Sequence, residues 1–291
     1  ALSKAISKLK EGDQLLIQFP MLHHSFFTTH LVKRMQRKGV KVHFIIHDLE
    51  VLRYANLDTV PWKHKIRVHL QESSLLKQAD GLIAHNPVMK SVLVDKGISE
   101  KKIVSLGIFD YLIPNYQDKE DLSKEGAIIV AGNLAQEKAG YLYELPARPA
   151  YNLYGVGFDE ARKLSNETYF GSFLPDELPS ALEGSFGLVW DGDSSKTCSG
   201  VFGEYLRYNN SHKASLYLAS GFPIIVWGQS ALANFVLEKE CGISIESLLD
   251  LEEVLEHLSQ EEYQGLVKNA KAVGQKIREG SFLLSALQAF N

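Results

Sequence analysis

Short apolar runs alternate with amphipathic stretches along the whole chain. Residues 15–19, 42–46, 81–84 and 103–106 have the length and composition of strands buried on both faces. Between them, apolar positions recur at helical spacing near 26–37, 66–78 and 88–95. Strand and helix taking turns in this way predict a parallel sheet covered by helices on both sides. A polar stretch at 114–124, carrying Asn115, Gln117, Asp118, Lys119, Glu120 and Asp121, reads as an interdomain linker.

The alternation then starts again. Residues 127–131 form a strand pattern ending in Gly132-Asn133, followed by a helical pattern at 135–144 and a strand at 151–154. A short helix at 178–182, a strand at 186–190, a helix at 211–220, a strand at 223–227 and a helix at 232–238 follow. Helical patterns near 247–258, 261–278 and 281–290 close the chain. The fold class expected is α/β, with two Rossmann-like, doubly wound domains facing a cleft. The N-terminal domain is placed at 1–114 and the C-terminal one at 125–275, and the helix at 276–291 is expected to pack back on the first. Ligands of such sheets bind outside the carboxyl ends of the strands.

Composition narrows the function classes. The chain has 291 residues, enough for two domains, with 45% hydrophobic and 23% charged residues. Its net charge of −4 does not point to a nucleic-acid partner. Lys33, Arg34, Arg37, Lys38 and Lys41 form a small basic cluster, which is either a solvated helix face or a contact for anionic lipid headgroups. Two distant cysteines, Cys198 and Cys241, fit a reducing compartment better than a disulfide framework or a zinc site. No run approaches the ~18 apolar residues of a membrane span. A cytoplasmic location is expected, with contact at the inner face of a membrane allowed. The chain opens at Ala1 in a helical pattern without Met, so a preceding segment is expected.

The most informative stretch runs from Tyr208 to Gly221. Asn210 is a good N-cap residue, and Ala214, Tyr217, Leu218 and Gly221 fall on one helical face. Lys213 sits in the first turn, where the helix dipole disfavours a cation, and His212 is beside it. An anion at the helix N-terminus, with Ser211 and Asn210 adjoining, explains that placement; the other reading is an exposed lysine on an ordinary helix. Gly132 and Asn133 end a strand where the backbone can approach a ligand, and Lys138 follows early in the next helix. That stretch also reads as a plain strand-to-helix turn. Tyr154 and Gly155 close another strand, either as a surface for a flat base or as a glycine turn. Asp191-Gly192-Asp193 reads as a polar turn, with Asp191 open to ligand contact. His47 and Asp48 end the strand at 42–46 and are either a catalytic base or a helix cap. His23 and His24 form a weaker pair at the same edge, and Glu204 is a further carboxylate close to the helix of Lys213.

Phe186–Asp191, Gly203–Asn210 and His212–Gly221, followed by Pro223–Val226, resemble bacterial β-1,6-galactofuranosyltransferases. These are relatives of the glucosyltransferase that extends N-acetylglucosamine on streptococcal serine-rich adhesins. The likeness runs over nearly the whole chain. It implies the GT-B arrangement of two Rossmann-like domains, a UDP-sugar donor, inverting chemistry, and neither a metal nor a cofactor. By the same resemblance Lys213 binds the donor diphosphate and Tyr154 contacts the uridine. A basic residue in the loop after Gly132-Asn133 helps with phosphate, and Lys138 is the one available there because Gln136 and Glu137 fill part of the loop. From position alone, Tyr208 and Asp191 are expected to join the donor set, and Asp48 or His47 to deprotonate the acceptor. The family's first strand and its small-residue loop are not found before Leu15. Asp191-x-Asp193 has the spacing of the metal-binding pair of the other major glycosyltransferase fold, but lies too late in a doubly wound pattern for that role. The expected reaction moves galactofuranose, or glucose, to a glycan carried on a lipid or a glycoprotein, and a homo-oligomer is allowed. The competing class is a non-catalytic nucleotide-sugar-binding subunit; a sugar-nucleotide epimerase is a third.

Overall fold

A computed structural model describes residues 6–20, 25–53 and 72–290. His23, His24 and the first part of the helix expected at 66–78 lie outside these. The chain divides into two compact units, 1–106 with 286–291, and 107–285.

In the first unit, β1 (Gln14–Phe19), β2 (Lys41–Ile46), β3 (Gly81–Ala84) and β4 (Ile103–Ser105) pair in parallel in chain order. The continuous apolar runs form them because both faces are covered: Val42, Phe44, Ile46, Leu82 and Ile83 are fully enclosed. Burying each such side chain stabilises the unit by about 1.5–3 kcal/mol. The described flanking helices are α1 (Ser25–Arg37), α2 (Glu50–Arg53), a helical stretch at 72–78, and α3 (Pro87–Asp95). Pro87 at the first turn and the Asn86 side chain, which accepts from the Met89 amide at 2.9 Å, start α3. Phe290 stacks on His43 at 4.4 Å, over Gly81, where any Cβ would collide with both rings. Because the strands run in chain order, the doubly wound pattern expected of both domains is not seen among the described residues of this one.

The second unit does reverse. Its six parallel strands are β5 (Ile128–Asn133), β6 (Tyr151–Val156), β7 (Glu167–Tyr169), β8 (Gly187–Val189), β9 (Ile224–Trp227) and β10 (Gly242–Ile245). Their order is β10-β9-β8-β5-β6-β7. The winding direction changes between β5 and β8, the topological switch point where such sheets open a crevice at their carboxyl ends. The helix at this point, α4 (His212–Ala219), is buried from Lys213 through Ala219. The Tyr217 hydroxyl accepts the Ala131 amide of β5 at 2.7 Å, and its ring lies where a Cβ on Gly187 would be. The long α5 (Gln260–Arg278) packs against α4 through Gly274, whose missing Cβ leaves room for the Leu218 carbonyl. A capping box of Ser259 and Glu262 starts α5.

Three sequence expectations change. The helix expected at 135–144 is one turn, Gln136–Ala139, followed by a 3-10 turn, Gly140–Glu144. It breaks because residues 138–141 are tied to the neighbouring chain. Gly192 donates to the Lys138 carbonyl at 2.8 Å, Tyr141 donates to the Gly192 carbonyl at 3.2 Å, and a Cβ on Gly140 would lie 3.0 Å from Asp193. Two edge strands, β7 and β10, carry partly exposed and polar positions that their sequence does not mark as apolar runs. The units divide at Leu106, ahead of the polar stretch at 114–124. Residues from Gly107 onward belong to the second unit: Tyr111 and Ile113 pack on its core, and Asp110 accepts the amides of Phe282 and Leu283 at 3.3 and 2.7 Å.

Candidate active site

The carboxyl ends of β5 and β8 and the first turn of α4 meet at one carboxylate. Lys213 Nζ donates to Asp191 Oδ1 at 2.8 Å and to the Trp190 carbonyl at 3.0 Å. Lys138 Nζ approaches the other oxygen, Oδ2, at 3.9 Å and stands 5.2 Å over the Phe202 ring. Asp191 and Lys213 are 5% and 8% exposed, while Lys138 is partly open. The sequence offers an anion or an exposed surface lysine at Lys213, and the structure removes the second reading. Lys213 is buried and already paired. Two ammonium groups thus gather around one carboxylate at the first turn of α4, and a helix N-terminus is a place where anions are stabilised.

Several site residues take different places from those expected. Ser211, not Asn210, is the N-cap of α4, its hydroxyl accepting the Lys213 amide at 3.4 Å. Asn210 is buried and donates to the Gly107 carbonyl at 2.6 Å, so it anchors the preceding turn. His212 stacks on Phe109 at 4.3 Å. At Gly132, where φ is +126, a Cβ would meet only Lys213 Cε, at 3.7 Å, so the backbone beside the lysine stays open. Asn133 accepts the Ala135 amide at 2.9 Å and shapes the turn toward Lys138. Tyr208 lies half-buried in the turn after the helical residues Gly200–Tyr205.

Tyr154 does not present its ring to a ligand. It is fully enclosed, stacked on Phe170 at 4.8 Å, and its hydroxyl accepts the Glu183 amide at 3.1 Å. Burial pushes the phenol pKa up. The surface-facing aromatics at this edge are Phe170 and Phe173, which the sequence gives no pattern to single out. Gly155 is needed for strand packing, since a Cβ there would collide with the Gly132 carbonyl oxygen. Asp191-Gly192-Asp193 is a turn, as read, but its two carboxylates part company. Asp191 turns inward to the lysines and Asp193 bonds to the Ser199 hydroxyl. Among the described residues, no group of three or more His, Cys, Asp or Glu side chains is placed to hold a metal ion. Glu204 pairs with Arg207 at 2.8 Å, and that guanidinium lies 4.5 Å over the Trp227 ring.

In the first unit, His47 and Asp48 follow β2. Arg53 grips Asp48 Oδ1 at 2.5 Å, leaving the carboxylate partly exposed. Burial lowers the His47 pKa, against the pull of the Asp48 charge. Beside them is a residue that sequence patterns do not reveal. Glu72 accepts the amides of Glu50 and Val51, both at 3.0 Å, capping α2 across a separation of some twenty residues. Burial raises its pKa to about 7, with those amides opposing.

Two parallel-sheet α/β units, the second with a switch point at its strand ends, are the fold class of the GT-B glycosyltransferases. The family models described as "Glucosyltransferase 3-like", N-terminal and C-terminal domain, match residues 1–108 and 128–290. The chain belongs to the glucosyltransferase 3-like family. It is 33% identical over 292 residues to the β-1,6-galactofuranosyltransferase WbbI of Escherichia coli K12, covering 99% of this chain and 82% of that protein. Its fold matches a sucrose-phosphate synthase of Thermosynechococcus elongatus, with a TM-score of 0.62 at 14% identity, over 100% of this chain and 75% of the other. It also matches HepE of Anabaena in complex with UDP-glucose, with a TM-score of 0.57 at 11% identity, over 98% and 81% of the two chains.

Proposed function

We propose that the protein transfers a hexosyl group from a UDP-sugar to a glycan acceptor, with inversion and without a metal. The observation that carries this reading is the buried Lys213–Asp191 pair with Lys138 beside it, where the carboxyl ends of β5 and β8 meet the first turn of α4. An acceptor hydroxyl attacks the anomeric carbon as the bond from that carbon to the diphosphate oxygen breaks. Lys213, Lys138 and the start of α4 stabilise the charge that builds on the leaving UDP, the part a divalent cation plays elsewhere. Asp48 takes the acceptor proton, with His47 next in line. Galactofuranose is the preferred sugar, on the 33% identity to WbbI. Glucose is the alternative, on the family description.

The test is a thermal-shift panel of UDP-sugars that includes UDP-galactofuranose and UDP-glucose, followed by donor hydrolysis without acceptor. Slow release of UDP from one donor, unchanged by a chelator, is the expected result. UDP binding without turnover of any donor points instead to a non-catalytic nucleotide-sugar-binding subunit.

A further inference from the structure

From His30 to Arg37 the outer face of helix α1 of the first unit carries basic residues. At about 100° per residue, His30, Lys33, Arg34 and Arg37 fall within one arc of about 100°. Thr28, Val32 and Met35, all buried, lie on the opposite side against the sheet. Lys38 and Lys41 extend the exposed run beyond the helix end. No Asp or Glu occurs from Ser25 to Lys41 in a chain whose net charge is −4. A solvated face ordinarily mixes both signs, and among the described residues none of these five Lys and Arg side chains makes an ion pair. Glu11 lies by Gly39, beyond the helix end, and the half-buried Asp80 accepts from Gln36 on the flank of α1 at 3.1 Å and from the Val42 amide at 2.8 Å.

We infer that this face of α1 docks the protein on an anionic lipid bilayer. A straight cationic stripe on the outside of a domain meets a flat charged surface along its whole length, and each Lys or Arg within a Debye length adds attraction. The acidic remainder of the chain opposes wrapping by a nucleic acid but not contact with a plane touching this face alone. The inference is independent of the sugar-transfer reading.

Flotation with vesicles of phosphatidylcholine, with and without phosphatidylglycerol, tests it on the full chain. The parent floats with anionic vesicles and not with neutral ones, and high salt releases it. K33Q/R34Q/R37Q reduces the bound fraction at least tenfold, while K163Q/K196Q/K268Q, exposed lysines of the second unit and the same charge loss, keeps it. All side chains changed are exposed, and circular dichroism checks that both variants remain folded. UDP-sugar hydrolysis in solution is expected to be equal in both. Absence of flotation, equal flotation with neutral vesicles, or equal loss in both variants overturns the proposal. So does gel-shift binding of RNA by this face without vesicle binding.

Discussion

At the scale of single residues, Lys213 does two things at once. It neutralises a buried carboxylate and, in the proposed reaction, it offers charge to an anion. Removing it alone confounds them, since an unpaired buried Asp191 costs about 3–5 kcal/mol. Lys138 is partly exposed and 3.9 Å away, so Lys138→Ala leaves Asp191 paired and is expected to lower UDP affinity only a few-fold in calorimetry. Asp48 has the opposite profile, since it belongs to the first unit and is held by Arg53. Asp48→Asn is expected to keep UDP affinity within about twofold while transfer falls by about 10²-fold or more, the scale of a lost general base. Transfer at the parent rate in single-turnover assays moves the base to His47.

The sequence showed Lys213 as misplaced for its helix, which was enough to suspect an anion. It did not show Asp191 as the partner, because the ion pair joins residues 22 apart through a strand end and a helix start. Tyr154 looked like a strand-end ligand for the same reason in reverse. Its ring is covered by Phe170, which directly follows β7, an edge strand too short and polar to leave a pattern.

At the scale of elements, α4 is fixed to β5 by a side chain rather than by backbone pairing. Tyr217→Phe removes the acceptor of the buried Ala131 amide and is expected to cost about 1–3 kcal/mol, read as a lower urea midpoint at unchanged slope. Gly155→Ala drives a methyl into the Gly132 carbonyl oxygen and is expected to destabilise more than Gly132→Ala, where only Lys213 Cε is near. Equal losses in the two glycine variants contradict the close approach of β5 and β6 as the reason for Gly155. The strands of both units were legible as apolar runs because parallel strands are buried on both faces. The break at Gly140 was not, since it answers to the distant turn at Gly192.

At the scale of the whole molecule, pH acts on the first unit in two opposing senses. Burial lowers the pKa of His43, which is held under Phe290 with neither ring nitrogen hydrogen-bonded, from its ordinary 6.5. The unfolded chain takes up that proton more readily, so this contribution is intact above pH 6.5 and stability falls as the pH drops through it. Glu72 is raised from 4.5 to about 7, so its ionisation cost is present above pH 7 and is relieved as the pH falls toward 4.5. Urea melts from about pH 5 to 8 are expected to show Glu72→Gln gaining on the parent as pH rises. His43→Leu is expected to lose less than the parent on acidification. Parallel curves for parent and variants contradict these assignments.

The central claim is that the positive charge at the start of α4 exists to hold a diphosphate, rather than only to balance Asp191. Calorimetric titration of UDP into the parent and into the double variant D191L/K213M separates the two. The double variant removes both charges, so the buried carboxylate is not orphaned and the fold is expected to persist. The account predicts a folded protein whose UDP affinity has dropped by tenfold or more; a folded double variant binding UDP as tightly as the parent contradicts it.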